Sequence, residues 1–356
     1  MNKSTNFSGP HDVRWHPGRW TLAALLALTT GCAQPQGTEV KPETKPPVEA
    51  TPMPPADVLL SADPGLLVFS GTRDGTGAGA SAVQTVAFEN SSSAAVKLTG
   101  LTFFGDTGTF ELVSPPPFPQ TLAAGASLKL NVKLLPGATT GVLRSTLRAV
   151  GDTKPVGEVT LAGLRAAGLE GDNEPPLAQI VDALNYGTNV GGNALILDKS
   201  AKLIGDEVAA PMFERASAGP VTLRPVARYS PDGPSAYGSF VLDGGAVRTQ
   251  QRGAMVPSGQ NQTLNPPLQS GQPTFDPGSA PFGIYLAPNS YAKQTTYTLD
   301  RLNTETLSHA VRVYPLKDRA GKTLPNSYLL GFEPAVNGDY QDVVFVLENV
   351  RPVAAK

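Results

Sequence analysis

Short runs in which apolar and polar residues alternate recur along the chain from residue 57 onward. The clearest is 128–134, Leu-Lys-Leu-Asn-Val-Lys-Leu, in which every second residue is apolar. Because successive side chains in a strand point to opposite faces, this pattern predicts a strand with one buried and one exposed face. Turn residues separate further short apolar runs at 66–69, 83–88, 95–98, 101–104, 142–147 and 159–164. Strands at such short spacing predict an antiparallel β-sandwich over residues 57–168.

The following segment, 169–356, opens with a helical pattern. Residues 172–176, Asp-Asn-Glu-Pro-Pro, predict a helix start with an Asx cap and a proline in the first turn. Gly187 predicts the end, so we expect a short helix near 176–186. One buried helix face is predicted by the i, i+3, i+4, i+7 spacing of Leu177, Ile180, Val181 and Leu184.

Strand-like runs return after this helix, at 194–197, 221–229, 238–242, 283–286, 295–299, 310–314, 328–332 and 343–347. The sequence as a whole therefore predicts a mainly β protein. It has two antiparallel β-sandwich-like domains, 57–168 and 169–356, and the second carries the short helix near its start.

The N-terminal residues have the pattern of a signal peptide over 1–31. A basic segment with Arg14 and Arg19 precedes the apolar run 22–28, and small residues follow at 29–31. The run is shorter than the ~20 apolar residues that cross a bilayer, which favours a cleaved export signal over a retained span.

The pair Gly31-Cys32 resembles the bacterial lipobox, in which a small residue immediately precedes the modified cysteine. Thr29 stands where that family prefers leucine. The resemblance implies that Cys32 carries lipid and that membrane lipid is a partner of the chain. The alternative is ordinary signal cleavage nearby, which would leave Cys32 as an incidental thiol.

Residues 32–56 are predicted to be the lipidated cysteine followed by a disordered tether. Pro, Glu, Lys and Thr dominate residues 33–56, and aromatic residues are absent from them. Such a segment buries too little apolar surface to offset its ordering entropy. Extended as polyproline II it would reach roughly 70 Å, enough to carry a domain clear of lipid headgroups.

Three short motifs resemble the immunoglobulin-like choice-of-anchor D modules, relatives of the abnormal-spindle/Hydin type domain. They are 86–90 (Val-Ala-Phe-Glu-Asn), the turn 122–125 (Leu-Ala-Ala-Gly) and the strand end 132–136 (Val-Lys-Leu-Leu-Pro). Ala124 and Leu134 depart from the proline and phenylalanine common in that family. The resemblance implies a fold and a spacer or interaction role, and it assigns no catalytic residues.

Composition narrows the classes of function. Charged residues are 16% of the chain and the formal net charge is −2, without a basic run that would bind phosphates, which excludes nucleic acid as a partner. The single cysteine excludes an intramolecular disulfide. His309 is the only histidine after the predicted signal peptide, too few for a histidine-rich metal site, and its interpretation is structural.

The stretch 330–345 resembles the closing hairpin of a poorly characterised domain class found in secreted bacterial proteins, some of them carbohydrate-associated. Its pattern is roughly G-F-E followed by N-G-D-Y-x-D-x-V-F, and residues 312–318 belong to the same resemblance. The match marks a family and carries no assigned activity.

Four oxygen-bearing side chains of this tail are candidate metal or ligand residues: Glu333, Asn337, Asp339 and Asp342. Ca²⁺ takes 6–8 oxygen ligands, although the spacing is not that of an EF-hand. The structural alternative makes residues 337–338 a hairpin turn, with Asp339 and Asp342 capping backbone amides. A third alternative is a carbohydrate-active hydrolase that uses Glu333 with one of the two aspartates, since glycosidases need two carboxylates.

The function predicted from the sequence is non-enzymatic binding or scaffolding in the bacterial cell envelope. The ligand would be a cell-wall glycan or a surface protein, with no cofactor. The hydrolase and a purely structural Ca²⁺-stabilised module remain alternatives.

Overall fold

A computed structural model describes residues 59–76, 82–231, 233, 235–256, 262–304 and 307–354. The predicted signal peptide, Cys32 and the predicted tether lie outside these residues. Among the described residues, none of the helices is both long enough and apolar enough to span a membrane.

The prediction of a mainly β protein is confirmed. In the first half the strands are β1 Leu60–Asp63, β2 Leu66–Thr72, β3 Val83–Asn90, β4 Val96–Leu98, β5 Gly100–Gly105, β6 Phe110–Val113, β7 Gln120–Leu122, β8 Ser127–Leu134, β9 Gly141–Val150 and β10 Pro155–Ala166. In the second half they are β11 Met212–Arg215, β12 Val221–Arg228, β13 Ser235–Asp243, β14 Ala246–Met255, β15 Thr263–Leu264, β16 Leu268–Gly271, β17 Thr274–Phe275, β18 Gly283–Leu286, β19 Thr296–Tyr297, β20 Val311–Lys317, β21 Thr323–Phe332, β22 Val343–Glu348 and β23 Val350–Val353.

The first half forms two four-stranded sheets, ordered β1-β3-β8-β6 and β2-β10-β9-β5, with a small pair β4-β7. In β8 the apolar residues Leu128, Leu130, Val132 and Leu134 are buried and the polar ones largely exposed, as the alternation predicts. One strand pair differs from the predicted antiparallel arrangement, because β2 and β10 pair in parallel. Parallel neighbours need a long connection, and residues 73–154, which build most of the sandwich, supply it.

The helix α1 spans Leu177–Ala183 and buries the predicted apolar face. The predicted Asx cap is wrong: residues 172–173 belong to a separate 3₁₀ turn, Gly171–Asn173, and Pro176 is the N-cap, without a side-chain hydrogen bond. The reason is steric, since a residue before proline avoids the helical region, and both residues 174 and 175 precede one. The helix ends before Gly187 because Asn185 already takes the left-handed conformation, with φ of 68°.

The second half contains a sheet ordered β15-β12-β22-β21-β20, with β17 also on β12, a sheet ordered β16-β14-β13-β18-β19, and the pair β11-β23. Aromatic rings fill the core between them, with the Tyr237 and Phe345 ring centroids 4.9 Å apart. The strand predicted at 194–197 is absent. Only Leu197 of that run is buried, and its amide donates to the carbonyl of Gly338 at 2.8 Å.

The two halves contact each other through buried polar and apolar groups. The Leu264 amide donates to Ser70 Oγ at 2.7 Å, and the side-chain amide of Gln262 donates to the Leu169 carbonyl at 2.6 Å. Leu164 of β10 belongs to the same apolar cluster as Leu177 of α1. The helix is therefore packed where the two halves meet.

Candidate functional site

The loop 333–342 joins the neighbouring antiparallel strands β21 and β22 and is organised around its first residue. Glu333 Oε1 accepts the amide of Ala335 at 3.0 Å, and Oε2 accepts the amides of Gly338 at 2.8 Å and Asp339 at 2.9 Å. The predicted two-residue hairpin turn at 337–338 is therefore wrong, because the strands end well outside it. A carboxylate does cap backbone amides of this loop, but it is that of Glu333 and not, as predicted, those of Asp339 and Asp342.

Three carboxylates of this loop, those of Glu333, Asp339 and Asp342, converge and are called the acidic cluster below. Each offers a carboxylate oxygen, and these oxygens lie within 4.8 Å of one another. The residues are 0%, 1% and 5% exposed, respectively. The cluster is therefore inside the protein and not at the edge of a groove.

Asn337 reaches the acidic cluster as a donor. Its Nδ2 donates to Asp339 Oδ2 at 2.6 Å, while its own oxygen accepts the amide of Gly338 at 3.1 Å. The structure thus places Asn337 beside the three carboxylates without directing its oxygen to them.

Two residues that sequence reasoning missed border the acidic cluster. The side-chain amide of Gln341 donates to Asp339 Oδ2 at 3.2 Å and to Glu174 Oε2 at 2.6 Å. Gln341 is fully buried within the tail motif, a position that its neighbours could have suggested. Glu174 precedes α1 far away along the chain, and no local pattern signals that it meets the tail.

The environment opposes ionisation of Glu333, Glu174 and Asp342. Burial, followed by repulsion from Asp339, raises the pKa of Glu333 to about 7. Burial raises the pKa of Glu174 to about 8 against the hydrogen bond from Gln341, and burial with repulsion from Glu333 raises the pKa of Asp342 well above its usual range. Within the loop 333–342, three buried side-chain oxygens lack a hydrogen-bond partner: Asp339 Oδ1, Asp342 Oδ2 and Gln341 Oε1.

This geometry bears on the hydrolase alternative. A glycosidase sets its two carboxylates on either side of a bound sugar, so both must line an open cleft. Glu333 and its aspartate neighbours are covered by protein, and Glu333 is already engaged by backbone amides. The arrangement suits a small ion and not a polymer.

A second polar group surrounds His309. Its Nδ1 lies 2.9 Å from Asp300 Oδ2 and its Nε2 lies 2.8 Å from Glu207 Oε1. Glu207 is buried and also accepts from Arg312, whose side chain is fully buried. Burial alone would lower the pKa of His309, but its hydrogen bonds to the two carboxylates, together with their negative charges, outweigh burial and raise the pKa to about 9.

A cavity of about 380 Å³ opens beside this histidine and is called the His309 pocket below. Its walls combine aliphatic residues with a polar edge: Ala201, Leu203, Val208, Ala209, Ala210, Pro211, Thr298, Leu299, Asp300, Arg301, His309, Val311 and Val313. Thr298 Oγ1 already donates to the Pro211 carbonyl and accepts the Ile284 amide. The cavity therefore offers mainly apolar contact.

Tyr340 connects the His309 pocket to the acidic cluster. It lies in the loop 333–342, its hydroxyl donates to the His309 carbonyl at 2.9 Å, and the Arg312 guanidinium carbon lies 4.7 Å from the centre of its ring. The two polar groups thus share one structural support, because Arg312 also holds Glu207.

No family model and no curated protein matches the sequence. The chain is similar to the solved structure of WR4, a C. elegans MSP family member, at 13% identity and a TM-score of 0.22, covering 30% of this chain and 98% of that one. It is similar to the secreted serine protease VesC from Vibrio cholerae at 13% identity and a TM-score of 0.21, covering 80% of this chain and 48% of the protease. The YadV chaperone matches at 10% identity and a TM-score of 0.23, covering 68% of this chain and 97% of the chaperone. At these TM-scores the likenesses carry no argument about function.

Proposed function

We propose that this chain is an envelope protein, exported and held to a membrane through lipid on Cys32, which acts by binding a second envelope protein at the His309 pocket. The observation that carries the proposal is the pocket itself. Its aliphatic walls are preformed, and its charged edge is held in place by the paired side chains of Asp300, Glu207 and His309.

The lining favours an apolar protein side chain over a sugar. Burial of apolar surface contributes about 25 cal/mol per Å², and aliphatic walls supply such surface. A sugar would need free donors and acceptors for its hydroxyl groups, since an unpaired buried polar group costs about 1–3 kcal/mol. Both ring nitrogens of His309 and the hydroxyl of Thr298 are already hydrogen-bonded within the protein.

The state of His309 supports binding over catalysis. A general base must accept a proton near neutral pH. With its pKa raised to about 9 and a carboxylate on each ring nitrogen, His309 carries its proton at pH 7 and has no lone pair to offer. The histidine therefore fits a role in holding the pocket edge.

Site-specific photo-crosslinking in cells tests this proposal. A photoreactive residue in place of Leu203, an exposed side chain at the pocket, should form a discrete adduct with an envelope protein. Ala209→Trp, which puts a bulky side chain into the pocket from an exposed position, should abolish the adduct. Ala124→Trp, at an exposed alanine of the other half, is the matched control and should leave it unchanged.

An adduct that survives Ala209→Trp, or the absence of any adduct, would refute binding at this pocket. An adduct removed by a muramidase would show a glycan partner in place of a protein. The anchor is tested separately: Cys32→Ser should abolish incorporation of radiolabelled palmitate and release the protein from membranes. A chain that stays membrane-bound and unlabelled in wild type would refute the lipid anchor while leaving the pocket proposal standing.

A further inference from the structure

The acidic cluster needs a positive charge that its hydrogen bonds do not supply. Glu333 accepts backbone amides, and Asp339 accepts the side-chain amides of Asn337 and Gln341, so every one of these donors is neutral. Like charges confined within 4.8 Å in a buried site repel strongly, because little water screens them. Either protons or a cation must balance them.

Protons alone leave the site incompletely satisfied. In the loop 333–342 three buried oxygens lack a donor, Asp339 Oδ1, Asp342 Oδ2 and Gln341 Oε1, and each proton can serve only one of them. Protonation of one carboxyl group adds a single donor. A single cation accepts lone pairs from several of these oxygens at once, and a divalent one offsets two of the three carboxylate charges.

We propose that Glu333, Asp339 and Asp342 bind a calcium ion together with the amide oxygen of Gln341. The set is entirely oxygen, which suits hard cations, and Ca²⁺ accepts carboxylates, amide oxygens and waters in a flexible shell of 6–8 ligands. Mg²⁺ demands near-ideal octahedral geometry and dehydrates reluctantly, so it is usually bound by only one or two protein carboxylates.

The hydrogen bonds within the loop leave lone pairs on its carboxylates that an ion can use. Each carboxylate oxygen has two lone pairs, so Glu333 Oε1, which accepts one amide, retains a lone pair for the ion. Gly338 takes φ of 89°, which lets the loop aim its amides at Glu333. Asp339 and Asp342 each bring a carboxylate oxygen within 4.8 Å of that of Glu333, and each has one oxygen without a hydrogen-bond partner.

The ion would tie distant parts of the chain together. Gln341 joins Asp339 to Glu174, which lies immediately before α1. Glu174 does not need to coordinate, since it accepts from Gln341 and orients that amide. Because the site assembles only in the folded chain, calcium binding contributes to folding stability.

Thermal unfolding and titration calorimetry of the full exported chain, made unlipidated by Cys32→Ser, test the proposal. Wild type in CaCl₂ at 100 times its dissociation constant should melt roughly 5–10 °C higher than in EDTA. Asp342→Asn and Asp339→Asn should each lose most of this shift. Asp152→Asn, at an exposed aspartate paired with Lys97 in the other half, is the matched control and should keep the full shift.

Terbium luminescence on wild type alone keeps the test decisive if the variants fold poorly. Tb³⁺ replaces Ca²⁺ at oxygen sites, and the neighbouring Tyr340 should sensitise its emission, which CaCl₂ should quench by competition. Absence of both a calcium-dependent melting shift and calorimetric binding in wild type would overturn the proposal. An undiminished shift in Asp342→Asn would overturn the assigned residues, and an equal response to MgCl₂ would overturn the choice of ion.

Discussion

Replacement of the doubly paired histidine, His309→Gln, gives the most direct test of the electrostatics inferred from the structure. The pKa of this histidine rises from 6.5 to about 9 on folding, and its side chain is only 12% exposed, so screening by solvent is limited. At about 1.4 kcal/mol per pKa unit, the raised pKa corresponds to roughly 3 kcal/mol. That is a substantial part of the 5–15 kcal/mol of an ordinary domain.

The sign of the effect follows from linkage. A group whose pKa is higher in the folded state binds its proton more tightly there, so its contribution is complete below pH 6.5. It is lost as the pH rises through about 9, where the folded histidine also deprotonates. Wild type should therefore lose about 3 kcal/mol of unfolding free energy from His309 across this window.

Urea denaturation from pH 6 to 9.5 measures this contribution. Glu174 and Glu333 also have raised pKa values, so they too lose their contribution to stability as the pH rises. The useful quantity is therefore the unfolding free energy of wild type minus that of His309→Gln. The difference should be largest at pH 6 and shrink toward pH 9.5. A difference that is flat with pH would refute the two-carboxylate pairing as the source of the shift.

Three further changes give clear expectations. In EDTA at pH 8, Asp342→Asn should raise the melting temperature by a few degrees, because it removes like-charge repulsion from a buried cluster; a lower melting temperature in differential scanning calorimetry would contradict this. Phe345→Ala should cost about 3–5 kcal/mol in urea unfolding, because the ring is fully buried among aromatic neighbours, and a loss below 1 kcal/mol would contradict the packing. Gly338→Ala should lower the free energy of unfolding by roughly 1–3 kcal/mol, since φ is 89° and an added Cβ would lie 2.8 Å from Lys199 Cε. A melting temperature equal to that of wild type would contradict this loop conformation.

In β8 and α1 one face is buried, and there the local pattern of apolar residues predicts the side chains that pack. The local pattern does not predict β14, in which burial does not alternate and Arg248, Thr249, Gln250 and Gln251 are exposed. That strand is held by pairing with β13 and β16, which no local pattern reports.

The sequence likewise predicts only part of the acidic cluster and its surroundings. Glu333, Asp339 and Asp342 were suggested by their shared motif, and the loop brings them together. The partner that completes the network, Glu174, depends on how α1 packs against the tail and has no signal within its own segment. Likewise local preference predicts an Asx cap within residues 172–176, but the two consecutive prolines displace the helix start.

The parallel pairing of β2 with β10 has a consequence for the order of folding. β10 lies between β2 and β9 in its sheet, so β2 can pair with this sheet only after β10 has been synthesised. Contacts between residues so far apart in sequence are slow to form, because the loop between them must be closed first. We therefore expect the first half to stay open until all of it has emerged, which under the proposed export would keep the chain unfolded during its passage through a membrane channel.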